Sequence, residues 1–113
     1  MSKEPQGDER RESPRVPMTF LVRDVVEGGG YLEREGDLSL GGIYWKGKSP
    51  PSGTQVEVRF RLPGVPKEIR ARGEIIRVME KGPDLDFHVR FLELDVADEL
   101  AMARHIENYA RSH

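Results

Sequence analysis

Three arginines near the amino end of the chain, Arg10, Arg11 and Arg15, are its residues best suited to binding an anion. A guanidinium group can donate two parallel hydrogen bonds to a phosphate or to the O6 and N7 edge of guanine. It can also stack on a base. Because Pro14 disfavours helical geometry at Ser13, this segment should be extended or turned. In an extended segment Arg11 and Arg15 would point the same way, about 13 Å apart, and could straddle one ligand.

A second polar group, Asp37, Ser39 and Gly42, has the spacing Asp-x-Ser-x-x-Gly and lies where one predicted strand ends and the next begins. A carboxylate can accept hydrogen bonds from the N1 and N2 donors of guanine, and a hydroxyl can serve a phosphate or a base. Glycine lets the backbone approach a ligand closely. Asp and Ser also make Asx-type turns between strands, and the two roles can coexist. Each group is common alone, so the weight comes from both occurring in this order.

Alternation of apolar and polar residues predicts about six β-strands that position these groups. The predicted strands cover residues 16–26, 31–35, 43–45, 54–62, 69–78 and 85–91. Gly28, Gly29 and Gly30 interrupt the pattern and predict the turn of a hairpin. The alternation shifts by one position at Ile75 and Ile76, which predicts a β-bulge there.

After residue 95 the apolar period becomes helical, which predicts one C-terminal helix with Asp95 or Asp98 as its cap. We expect its apolar stripe to close the end of the domain. The stripe consists of Leu100, Ala103, Ile106 and Ala110. Six short strands joined by Gly and Pro turns, with no helix between them, favour an antiparallel barrel or sandwich over a βαβ sheet.

The 113 residues have the size of one domain. Residues 1–9 are polar, charged and interrupted by proline and glycine, so we interpret them as a flexible tail, followed by a single domain over residues 10–113. No apolar run approaches the roughly 20 residues that cross a bilayer, and the amino end does not have the apolar stretch of a signal peptide. We therefore expect a cytoplasmic protein that does not insert into membranes.

Composition also limits the chemistry. The chain has no cysteine, which excludes disulfides, thiolate zinc sites and cysteine nucleophiles. Its three histidines, His88, His105 and His113, have no recognisable zinc spacing, and Ser39 has no predicted histidine partner. We expect no metal, cofactor or catalysis. With 18 basic and 20 acidic residues, the net charge of −2 provides no strong field for DNA or RNA.

Taken together, these motifs resemble those of PilZ domains. The resemblance covers residues 10–111 and rests on Arg11-x-x-x-Arg15, the strand hairpin, Asp37-x-Ser39-x-x-Gly42, and two shorter segments. The shorter segments are Leu62-Pro63-Gly64 and Val89-Arg90-Phe91. PilZ domains are bacterial receptors for the second messenger cyclic di-GMP. The resemblance implies a six-stranded barrel with a C-terminal helix, which agrees with the strand count.

The resemblance also implies a role for each site residue. Arg11 and Arg15 would hold phosphate and guanine, and three barrel residues would line the other side of the pocket. Those three are Asp37, Ser39 and Gly42. Arg10 stands where a basic residue is associated in this family with uptake of a stacked pair of ligands. Binding would order the flexible N-terminal arm, which we place at residues 1 to about 14, and offer a changed surface to a downstream protein that the sequence does not identify.

Two other functions compete with this interpretation. One is an interaction adaptor that keeps the barrel but binds no nucleotide. The other is a binder of single-stranded RNA or DNA, which the near-neutral charge disfavours. Tyr44 and Trp45 could stack on a base, but we expect both to pack on the barrel and leave them outside the predicted site.

Overall fold

The computed structural model describes residues 14–26, 28–48 and 52–112. Within these ranges six strands are followed by one helix. The strands are β1 (Val16–Asp24), β2 (Gly28–Leu38), β3 (Gly42–Gly47), β4 (Gln55–Phe60), β5 (Ile69–Lys81) and β6 (Asp84–Glu93), and the helix is α1 (Val96–Ser112). The predicted tail at residues 1–9 lies outside the described residues, as do Arg10 and Arg11.

The six strands form a closed barrel in the order β1-β2-β3-β6-β5-β4, and every neighbouring pair is antiparallel. Pairing of β1 with β4 closes the sheet on itself. Closure gives each strand two hydrogen-bonded neighbours and removes the exposed edges that an open sheet would have. Of the two architectures that the alternation allowed, the structure has the barrel, as the resemblance implied.

The barrel interior is filled by one side of each strand, as period-two alternation requires. Along β4, Val56, Val58 and Phe60 are buried, whereas Glu57 and Arg59 point outward. Phe60 meets Phe20 of β1 edge to face, with ring centroids 5.4 Å apart. Packing of this kind fixes the outward residues in place, because turning one of them inward would bury its charge.

The predicted β-bulge in β5 is confirmed. The β5–β6 register shifts between Ile75 and Arg77, so that Ile75 pairs with Val89 and Arg77 with His88. Val89 is fully buried and His88 is half-buried on the outer side of β6. The extra residue, Ile76, therefore brings Arg77 to the outer face beside His88.

The hairpin between β1 and β2 forms as predicted, but its turn lies earlier than the three glycines. β2 already begins at Gly28, which pairs with Asp24. The Asp24 carboxylate accepts a hydrogen bond from the backbone N–H of Val26 at 2.8 Å and another from Ser52 at 2.6 Å. A short aspartate side chain that satisfies nearby backbone donors makes the turn here. The three glycines are therefore the first residues of β2 and not the turn.

The helix begins at Val96, and the carbonyl of Asp95 accepts a hydrogen bond from the Glu99 N–H at 2.9 Å, so Asp95 occupies the N-cap position. The predicted stripe was largely wrong. Leu100 is 55% exposed, Ala110 is exposed, and only Ile106 of the stripe is fully buried.

The face of α1 that packs on the barrel instead carries Asp98, Met102 and Ile106, which are spaced by four residues. Asp98 is an unexpected member of a buried face. Its carboxylate lies 3.6 Å from the ammonium of Lys67, which compensates its charge. Because Asp98 is polar, the apolar pattern of the sequence did not identify this face as the buried one.

Candidate functional site

The predicted site residues that the structure describes lie around one lateral row of side chains on the outside of the barrel, which we call the outer row. Its members are direct cross-strand partners on five successive strands. The outer row consists of Pro17, Asp37, Tyr44, His88 and Arg77. Directly paired residues project from the same side of a sheet, so these side chains form one continuous surface. Behind it, Val16, Leu38 and Ile43 are buried in the core.

Arg15 lies immediately before β1 and is held by an aromatic stack. Its Cζ is 3.6 Å from the centroid of the Tyr44 ring, which is a close cation–π contact. Tyr44 stacks in turn on His88, with ring centroids 4.2 Å apart and planes inclined by 18°. Arg15 comes from the β1 side of Tyr44 and His88 from the β6 side, in keeping with the strand order. The guanidinium is thus fixed beside the outer row.

Two charged side chains at this end of the outer row have no ion-pair partner among the described residues. Within the described residues, Arg15 makes no ion pair, and its only contact of note is the one with Tyr44. The carboxylate of Asp37, one strand away from Tyr44, likewise makes no hydrogen bond or ion pair in the described part of the chain. A guanidinium and a carboxylate therefore lie in the same region with their hydrogen-bonding groups available to a ligand.

Ser39 holds the turn between β2 and β3. Its N–H donates to the carbonyl of Gly42 at 2.9 Å, and its hydroxyl donates to the same carbonyl at 3.2 Å. The residue is only 6% exposed, and the carbonyl accepts both bonds. The turn-forming role anticipated for such a residue is present, and it fixes the backbone that follows Asp37.

Gly42 is required by the close approach of β3 to β6. A Cβ at this position would lie 1.9 Å from the carbonyl oxygen of Val89, which is backbone and cannot move aside. Gly41, by contrast, has nothing within 4 Å of the same hypothetical atom. The second glycine of the pair is therefore the one on which the local pairing of strands depends.

The pKa of His88 is lowered, first by its partial burial and then by the nearby positive charges of Arg15 and Arg77. Asp86, two residues away on β6, acts in the opposite direction and raises it. This balance favours a neutral imidazole between Tyr44 and Arg77 in the outer row. The electrostatic effect of Arg15 on His88 shows that both lie in one local field.

Sequence reasoning missed Tyr44, His88 and Arg77 as members of this surface. The expectation that Trp45 packs in the barrel is confirmed, since it is 3% exposed and contacts Phe87. The same alternation places the preceding Tyr44 outside. Sequence reasoning weighed His88 only as a metal ligand and rejected it, although its alternation with Phe87 and Val89 places it on the polar side of its strand. Arg77 follows from the bulge once its partner is known.

Two further observations concern sites of other kinds. Across the described ranges, no three His, Asp or Glu side chains are grouped as metal ligands would be. Among the same residues no helix is long and apolar enough to span a bilayer.

Of the predicted ligand contacts, Arg15, Asp37, Ser39 and Gly42 are brought to one corner of the barrel.

Solved structures with this fold are similar to the chain at low sequence identity. The inhibitor of motility MotI/DgrA from Bacillus subtilis has a TM-score of 0.72 at 17% identity, over 91% of this chain and 52% of that one. The PilZ domain of YcgR from Escherichia coli, solved with c-di-GMP, has a TM-score of 0.65 at 19% identity, over 91% of this chain and 93% of that one. The PilZ domain of CeSA from a cellulose-synthesizing bacterium has a TM-score of 0.59 at 20% identity, over 87% of this chain and 97% of that one. The chain thus spans about half of MotI.

No curated protein sequence matches the chain significantly. A family model described as PilZ domain matches residues 9–109, which is most of the chain and includes both motifs predicted from the sequence. The closed six-stranded barrel and C-terminal helix agree with that match. This chain belongs to the PilZ domain family.

Proposed function

We propose that this chain is a bacterial, cytoplasmic receptor for cyclic di-GMP that carries out no catalysis. The observation that supports it most is the state of Arg15, whose guanidinium is held on Tyr44 without an ion-pair partner in the described part of the chain. Membership of the PilZ family and likeness to the YcgR domain solved with c-di-GMP support the choice of ligand.

In this proposal Arg15 binds a phosphate or a guanine edge of the ligand. Its planar fork gives two parallel hydrogen bonds, and the Tyr44 ring presets its orientation, which reduces the entropy lost on binding. Asp37 accepts hydrogen bonds from the N1 and N2 groups of guanine. Ser39 and Gly42 contribute mainly by fixing the turn that carries Asp37 and by offering backbone groups to the ligand.

Arg10 and Arg11 complete the proposed site from the N-terminal arm. The ligand carries two phosphate charges, and one guanidinium at Arg15 leaves half of that charge unbalanced. Arg11 would bind the opposite side of the same ligand, and Arg10 would favour a second, stacked molecule. Ordering of the arm over the outer row would then change the surface that a partner protein meets.

The test is calorimetric titration of the purified chain with cyclic di-GMP. We expect a Kd on the order of micromolar or tighter. Arg15→Ala should weaken binding by about a hundred-fold, because it removes a bidentate charge-assisted contact. Arg70→Ala is the matched control, since Arg70 is an exposed arginine at the other end of β5, and should bind as the wild type does. Absence of heat at millimolar ligand would overturn the proposal.

A second candidate function, a protein-interaction adaptor that binds no nucleotide, is favoured by an apolar surface on α1. Leu40, Val96 and Leu100 are 56%, 68% and 55% exposed. They line a shallow pocket of about 340 Å³. Leu40 belongs to the turn between Ser39 and Gly42, so the apolar surface adjoins the predicted motif.

The two functions predict different variants to fail. For the adaptor, capture of a partner from a lysate of the source bacterium should be lost in Leu100→Glu and unchanged in Arg15→Ala, with or without cyclic di-GMP. Leu92→Glu, which changes an exposed apolar residue on β6, is the control. Loss of capture in Arg15→Ala would instead support a nucleotide-dependent receptor.

A further inference from the structure

His88 lies between Tyr44 and Arg77 in the outer row, although neither motif includes it. It supports Tyr44 from the β6 side at a centroid distance of 4.2 Å, while Arg15 contacts Tyr44 at 3.6 Å. On its other side lies Arg77, which the β5 bulge turns outward. His88 therefore lies between the Tyr44 ring that contacts Arg15 and the guanidinium-bearing Arg77.

The charged groups that face His88 come from every neighbouring element. Arg77 faces it from β5, and Arg15 lies beyond the Tyr44 ring. On its own strand, Asp86 and Arg90 are two residues away on the same side, with Arg90 paired to Glu74 of β5 at 2.7 Å. From β3, the exposed side chain of Lys46 stands opposite Asp86, two positions along the outer face from Tyr44. Asp37 is the nearest charged group of β2.

In the described part of the chain Arg15 and Arg77 have no ion-pair partner, so the field at His88 is positive. Together with partial burial, this field lowers the pKa of His88, whereas Asp86 opposes it. A dianionic ligand bound to Arg15 would reverse the sign of that field. The pKa of His88 would then rise, and the imidazole would take a proton from solvent.

We infer that His88 is a positioning residue of the ligand site, which holds Tyr44 against Arg15 and gains a proton when cyclic di-GMP binds. The inference rests on the proposed function and adds to it a coupling between the ligand and pH. If the bound state holds more protons than the free state, lower pH must strengthen binding. The affinity should change with pH in the range between the lowered pKa of His88 in the free chain and its raised pKa in the complex.

The experiment is calorimetric titration with cyclic di-GMP at several pH values from about 8 down to about 5.5, where neither the phosphodiesters nor guanine titrates. We expect the wild-type affinity to rise by about three- to ten-fold over this range. His88→Phe keeps an aromatic ring under Tyr44 but cannot titrate, so its affinity should not change with pH. His88→Ala also removes the stack and should bind more weakly at every pH.

His105→Gln removes the other histidine of the described residues and should keep the wild-type pH dependence. Titration of the wild type in buffers of different ionisation enthalpy gives an independent count of protons and needs no variant. Net uptake of protons at pH 6 to 7 supports the inference. Binding with no proton uptake, or with equal pH dependence in wild type and His88→Phe, overturns it alone. Absence of any binding overturns the proposed function and this inference together.

Discussion

In the part of the barrel that the structure describes, arginines stack on tyrosine in two places, and in one of them the guanidinium has no carboxylate partner. On the outer row, Arg15 contacts Tyr44 at 3.6 Å with no carboxylate partner in the described residues. On the side formed by β2, β1, β4 and β5, Arg23 and Arg59 both lie over Tyr31 of β2, at 5.3 and 5.0 Å. Residue type and stacking are therefore shared by both places, and the state of the guanidinium differs.

We call the second place the paired face, because its arginines are neutralised by carboxylates. Its members are Arg23, Tyr31, Glu57, Arg59, Glu68 and Arg70. Arg23 pairs with Glu57, and Arg59 lies 2.8 Å from Glu68, which also contacts Arg70. A groove of about 690 Å³ lies here. Arg23 and Arg70, which line this groove, are paired with carboxylates, whereas recognition of a phosphate needs unpaired donors.

The largest expected effect comes from breaking the strand contact behind the site. Gly42→Ala would place a Cβ 1.9 Å from the Val89 carbonyl and should lower the free energy of unfolding by about 3 kcal/mol. Gly41→Ala is the control, because its Cβ would meet nothing within 4 Å. Urea denaturation followed by circular dichroism measures both. Equal stability of the two variants would contradict the close approach of β3 and β6.

A smaller effect separates the two tyrosines. Tyr44→Ala should weaken cyclic di-GMP binding by about ten-fold, because Arg15 loses the ring that orients it. Tyr31→Ala removes an equivalent ring from the paired face and should leave the affinity within about two-fold of wild type. Titration calorimetry on both variants checks this pair. An equal loss in both would mean that the outer row has no special part in binding.

The sequence predicted the strands, the closed form implied by the resemblance, and the bulge in β5, because period-two alternation is a local signal that burial enforces. It did not predict the buried face of α1, since Asp98 occupies a position where an apolar residue was expected. That position is acceptable only because Lys67, from another part of the chain, lies nearby. Such compensation is a tertiary contact, and no pattern within the helix contains it.

For the site, the two motifs indicated which segments matter but not which side chains complete the surface. Tyr44 and His88 become neighbours through the β3–β6 pairing, which joins residues 44 positions apart in the chain. Whether an arginine is paired is equally non-local, as Arg23 and Glu57 are 34 residues apart. The sequence shows which side chains could bind an anion. Which of them are already paired with a carboxylate is known only from the folded structure.

A third prediction asks whether an unpaired arginine is sufficient for a site. Glu57→Gln removes the charge that neutralises Arg23, whose side chain is 37% exposed. Because the pair is partly solvated, the free energy of unfolding should fall by only about 0.5 kcal/mol. We expect the calorimetric stoichiometry for cyclic di-GMP to stay as in the wild type, since the paired face has no counterpart of the Asp37 turn. A new binding event in this variant would show that charge alone determines the site.

The smallest expected effect is a pH-dependent one on the paired face. The hydrogen bond from Arg59 lowers the pKa of Glu68, so the folded state favours the ionised carboxylate. Its contribution to stability is complete above the ordinary pKa of glutamate and is lost as the pH falls through the lowered value. Glu68→Gln should therefore lower Tm slightly at neutral pH and not at all in strong acid, with cyclic di-GMP affinity unchanged throughout. Thermal melts of both proteins across this range test it, and a difference in Tm that grows toward acid would reverse the assigned sign.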